Sequence, residues 1–195
     1  MARRQVGVFT AKRRAHPFRW LLWIVLGIVG FCSIHTAVDN GRIVVKTQKV
    51  WVANLPKALE GFTVLHISDL NAKRFGPNQK QLAGMLKGKK YNAVCLTVDM
   101  VGKKGDTAPF YELLSALDTA RPVFFIAGDS DPAPVGERPQ GYYTVLADWV
   151  AGANTRGATF LGAPASVTVG GSTVWFTDAT QLALDLDTAA AAYSA

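Results

Sequence analysis

Three apolar runs of one form punctuate the middle of the chain, and each ends in a carboxylate. Thr63-Val64-Leu65-His66-Ile67-Ser68 leads into Asp69, Ala93-Val94-Cys95-Leu96-Thr97-Val98 into Asp99, and Val123-Phe124-Phe125-Ile126-Ala127-Gly128 into Asp129. Runs of this length, the first flanked by Gly61 and Gly76, predict strands buried on both faces, as in a parallel sheet. Between them the apolar spacing becomes helical. Leu82, Met85 and Leu86 follow Gly76-Pro77-Asn78, with Pro77 suited to a first turn. Phe110, Leu113, Leu114 and Leu117 fall at i, i+3, i+4 and i+7 behind Asp106 or Thr107 as cap. A third helix is predicted from Tyr142, Leu146, Trp149 and Val150, after a loop carrying Pro132, Pro134 and Pro139 and ending near Gly152 to Gly157. Strand and helix in alternation imply right-handed crossovers and a parallel sheet covered on both faces.

After Gly157 the rhythm changes. Thr159-Phe160-Leu161, Ser166 to Val169 and Thr173 to Phe176 read as short strands, the last two joined by Gly170-Gly171-Ser172 as a hairpin. Asp178 ends another apolar stretch, and an Ala-rich segment runs to Ala195. Upstream of the first apolar run, Ile43 to Val52 alternates loosely in the pattern of an exposed or edge strand, closed by Asn54-Leu55-Pro56.

The N-terminus has a different pattern. From Trp20 through Val38 no charge occurs, a run long enough to cross a bilayer as a helix, with Trp20 and Trp23 placed for the interface. Arg3, Arg4, Lys12, Arg13, Arg14 and Arg19 precede it without an acid, so an anchor with its basic flank in the cytoplasm is expected, a cleaved signal peptide being the competitor. Those six cations removed from the net +7 leave about +1 for the remainder, which argues against a basic nucleic-acid-binding face. Lys87, Lys89 and Lys90 suit a helix C-terminus better than a binding patch. Cys32 lies in the apolar run and Cys95 in a buried one, so neither a disulfide between them nor a nucleophilic thiol is expected.

Carboxylates at neighbouring strand tips suit hard divalent cations, and a metal pair so held activates water for phosphoryl chemistry. Asn54-Leu55-Pro56, Gly61-Phe62-Thr63, Leu65 to Asn71, Leu96 to Val101 and Phe125 to Asp131 together resemble the calcineurin-like metallophosphoesterases, the membrane-anchored bacterial branch in particular. The resemblance covers most of the chain after the apolar N-terminal run. It implies an α/β fold, a β-sandwich with helices on both faces (αββα), incomplete here and preceded by one transmembrane helix. It divides the chain into a basic cytoplasmic tail, 1–19, an anchor, 20–38, and a partial phosphoesterase domain, 39–195, held outside the cytoplasm at the cell membrane. By resemblance Asp69 binds one metal, Asp99 bridges two and Asp129 binds the second, with Mn, Mg, Fe or Zn as cofactor and a phosphoester as ligand.

The chain departs from the family pattern at defined positions. The family's Asp-x-His is Asp69-Leu70-Asn71, its Gly-Asp is Val98-Asp99, and its Gly-Asn-His is Gly128-Asp129-Ser130. Asn71 offers a weak neutral ligand in place of an imidazole, and Ser130 cannot act as a protonated His does, as general acid or charge stabiliser. The family's later Gly-His and Gly-His-x-His motifs have no counterpart before Ala195, and His16, His35 and His66 lie in the tail, the apolar run and a strand. The expectation is therefore a membrane-anchored family member of weak or no hydrolase activity, with at most a single Mg or Mn site at Asp69, Asp99 and Asp129. An incomplete sheet implies a partner chain over its apolar edge. Two other readings stand beside it: a non-catalytic binding or regulatory module using the same rim, and a sugar-nucleotide transferase or aspartate-based phosphatase suggested only by Asp129-Ser130-Asp131.

Overall fold

The first of the three apolar runs forms β1 (Val64–Ser68) and pairs in parallel with β2 (Ala93–Thr97), which pairs in parallel with β3 (Val123–Ile126). The structure is a computed structural model that describes residues 17–40, 42–118, 120–137 and 144–179. The basic residues before Pro17, Pro139, Tyr142 and the Ala-rich end after Ala179 lie outside the described residues. The chain divides into two units, Met1–Val44 and Val45–Ala195.

In the first unit, α1 (Pro17–Asn40) is one unbroken helix. Over Phe18–Thr36 it is long and apolar enough to cross a membrane, and its side chains there are exposed all round.

The second unit is built on the parallel sheet. A short strand, β6 (Ala158–Phe160), joins it beside β3, so the order is β1-β2-β3-β6 and β1 and β6 are the edges. Sequence pattern alone placed the 159–161 strand after the crossover rhythm; in the structure it completes that rhythm. Strands added in chain order by right-handed crossovers put their connecting helices on one face. That face carries the row Ile67, Leu96, Phe125 and Phe160. Against it lie α3 (Ala108–Ala116) through Phe110, 5.6 Å between ring centroids from Phe125, and α4 (Asp148–Asn154) through Trp149, 5.9 Å from Phe125. α2 (Lys80–Leu86) packs on α3 with Leu82 and Leu86 buried.

The other face takes a hairpin where helices were expected. β7 (Ala165–Val169) and β8 (Ser172–Phe176) pair antiparallel, as the sequence pattern predicts, and Phe176 stacks on Phe124 at 4.6 Å. Ala93, Leu161, Phe62, Ile126, Ala165 and Val167 fill the remainder of that layer. The unit is thus a helix layer, a parallel sheet and a hairpin layer.

Four local expectations change. β1 is not buried on both faces: as an edge strand it keeps Leu65 and Ile67 half-buried, while Val64, His66 and Ser68 are exposed. Ile43 to Val52, expected as an exposed or edge strand, enters no sheet. The Pro-rich loop and the start of the third predicted helix instead supply a small ribbon, β4 (Val135–Glu137) with β5 (Thr144–Leu146), so Leu146 is in a strand and α4 begins only at Asp148. Residues Pro77–Gln79 form a 3-10 turn, in which Asn78 and Gln79 have positive φ. Gln79 is fully buried there. Its side chain accepts from Phe75 N at 2.9 Å and donates to Lys73 O at 2.7 Å and Pro109 O at 3.2 Å, which ties the loop after β1 to the first turn of α3.

Candidate functional site

Beyond the strand ends, the loops continue the order of the strands. Asp69 N donates to Val98 O at 3.1 Å, Asn71 N to Asp99 O at 2.7 Å and Ala72 N to Met100 O at 3.2 Å. The loop after β3 closes on the loop after β2 through Ser130 N, which donates to Asp99 Oδ1 at 3.0 Å. Gly128 permits this approach, because a Cβ there would stand 2.2 Å from Asp99 Oδ1 and 2.4 Å from Asp99 N. The three segments that sequence singles out therefore meet on one edge of the sheet.

The residue that holds them is Asp131. Its Oδ1 accepts from Val101 N at 2.7 Å and Gly102 N at 2.8 Å, and its Oδ2 from Gly128 N at 2.9 Å and Met100 N at 3.2 Å. Four backbone amides from two loops thus share one half-buried carboxylate. The sequence reading gives Asp131 no structural role: it enters there as the end of the Phe125 to Asp131 segment and of the Asp129-Ser130-Asp131 tripeptide.

Backbone strain collects at the same edge. Asp69, Asn71, Ala72, Val98 and Asp99 all have φ near +50°. Asn and Asp adopt this left-handed region at modest cost, whereas Ala and above all β-branched Val do not. At Val98 the side chain carries a conformational cost that glycine would not. Strain of this kind is characteristic of binding and catalytic edges.

The donors do not assemble into a metal centre. Asp69, Asn71 and Asp129 are exposed, whereas Asp99 and Ser130 are half-buried. Among the described residues no group of three or more His, Cys, Asp or Glu side chains converges on a point where an ion would sit. Asp99 Oδ1 is engaged by Ser130 N, and the Asn71 amide turns its nitrogen toward Asp69 O at 3.4 Å. His66 Nε2 lies 2.6 Å from Thr97 Oγ1, within the strands and short of their tips. With no imidazole at the rim among the described residues, the residues present do not fit a dinuclear metal centre.

Two other features bear on chemistry. Arg74, in the loop after β1, donates Nε to Glu112 Oε1 at 3.0 Å and lies 3.6 Å from Asp106, which fixes that loop to α3. Burial pushes the Cys95 thiol up to about 11, so at neutral pH it is an inert packing residue, as its place in a strand suggested. No protein-family model matches this chain, and no curated protein matches it in sequence.

Proposed function

We propose that the chain is a membrane-anchored protein of the metallophosphoesterase type, derived from metal-dependent phosphoester hydrolases, that hydrolyses phosphoesters weakly or not at all. One observation carries this reading. Parallel strands deliver Asp69, Asp99 and Asp129 to one edge in motif order, with the loops locked together, yet among the described residues no three donors converge. The αββα sandwich is the architecture this reading implies, and a helix layer, a parallel sheet and a hairpin layer are compatible with it. The long apolar α1 supplies the anchor, with the domain on the extracytoplasmic side. Any divalent ion, whether Mn, Mg, Fe or Zn, binds weakly at the rim.

A second reading, a non-catalytic module that uses the rim to bind a ligand or partner, is supported by the rigidity that Asp131 confers on strained loops. A rim that neither moved nor bound anything would have no use for that strain.

The test uses the full chain in detergent micelles, assayed for Mn²⁺ uptake and for hydrolysis of bis-p-nitrophenyl phosphate. The expected outcome is turnover no greater than that of Asp99→Ala. Robust turnover that Asp99→Ala abolishes sinks the inactive reading. Restoring Asn71→His together with Ser130→His is expected to raise Mn²⁺ affinity; no gain counts against an inherited metal site.

A further inference from the structure

From Arg42 to Leu59 the chain carries Arg42, Lys46, Lys49 and Lys57 and no acid. Within that stretch, Val45 to Val52 belongs to no helix or sheet and makes no hydrogen bond, ion pair or ring contact with any described residue. Its apolar side chains stand in solvent, Trp51 93% and Val50 76% exposed, with Lys46 and Lys49 exposed between them. Leaving a tryptophan and several valines uncovered forfeits the free energy of removing them from water.

We propose that Val45 to Val52 lies on the surface of the bilayer that holds α1, its cations against anionic phospholipid headgroups and Trp51 in the interface. The inference rests on α1 spanning a membrane. Trp51 is eleven residues beyond Asn40, the last residue of that helix, so the chain cannot carry it more than about 40 Å from the helix end. Tryptophan favours the headgroup level, where its ring and N–H are both accommodated. Each Lys or Arg near an anionic surface adds about fivefold to partitioning, and cations with apolar anchors act together.

Pairing with a second copy as an added strand is the competing occupant, and the pattern disfavours it. Alternate residues put Val45, Lys49 and Trp51 on one side and Lys46, Val50 and Val52 on the other, so neither side is a clean apolar face. Lysines along an unpaired strand are also a common device against edge-to-edge pairing.

The test reconstitutes the full chain in vesicles of phosphatidylcholine alone and of phosphatidylcholine mixed with phosphatidylglycerol. Chymotrypsin added outside cuts after Trp51 in outward-facing chains, and mass spectrometry reads the rate. Cleavage is expected to be roughly tenfold slower in the anionic vesicles. Lys46→Gln with Lys49→Gln removes most of that difference, while Lys46→Arg with Lys49→Arg preserves it. Equal rates in both vesicles overturn the proposal. Protection that tracks protein density and ignores lipid charge overturns it in favour of pairing between copies. A chain that floats with neither vesicle refutes the anchor itself and takes this inference with it, an outcome the cleavage rates cannot imitate.

Discussion

Phe124 and Phe125 are neighbours in sequence and face opposite layers. Phe125, 1% exposed, is enclosed by Phe110, Trp149 and Phe160, with centroids 5.4 to 5.9 Å away. Phe124, 4% exposed, rests on one ring, Phe176, of a two-stranded hairpin. The helix side is held by elements that the crossovers require. The hairpin side is held by a ribbon that makes little structure of its own. Equal burial therefore hides unequal support.

Replacing Phe125 by Ala is expected to cost about 4 kcal/mol, because the surrounding helices cannot close the cavity. Phe124→Ala should cost about 2 kcal/mol, since the hairpin can settle toward the sheet. Denaturant melts of the full chain in detergent measure both, and equal losses break the contrast. Between these two in size, Asp131→Ala strips one acceptor from four amides at the rim. The expected loss is about 3 kcal/mol locally, read as roughly hundredfold faster hydrogen exchange at Val101 and Gly102, with Asp131→Asn about half as damaging. Exchange that stays slow would mean that the layers, and not the pin, hold the loops. The smallest effect is a gain. Val98→Gly relieves a left-handed β-branched residue and should raise stability by about 1 kcal/mol in the same melts, whereas Val98→Ala should change little.

What could be read from the chain was whatever repeats within a few residues. The three apolar runs, the Phe110 helix and the 166–176 hairpin each announce themselves by local period, and the structure contains each of them. The side of the sheet that receives each layer was not legible, because it follows from strand order, which no single segment encodes. The exposure of β1 was hidden for the same reason, since an edge strand and a central one share a local pattern. Leu146 was assigned to a helix because its spacing to Trp149 and Val150 is helical; pairing with Val135 decided otherwise. At the rim, Asp69, Asp99 and Asp129 were visible as run endings. The use of Asp131 was not, since its partners, Met100 to Gly102, lie in another loop. The left-handed turn at Val98 was likewise hidden, because Val at the end of an apolar run reads as one more strand residue.

The order β1-β2-β3-β6 has a consequence for biosynthesis. Each parallel strand pairs with one already made, so the sheet grows from one side as the polypeptide emerges and never waits for a distant segment to be inserted between existing strands. A polypeptide leaves the ribosome in just that direction, first residue first. The architecture suits assembly during synthesis, with the most deeply packed strands, β2 and β3, made early and the hairpin that closes the second face arriving last.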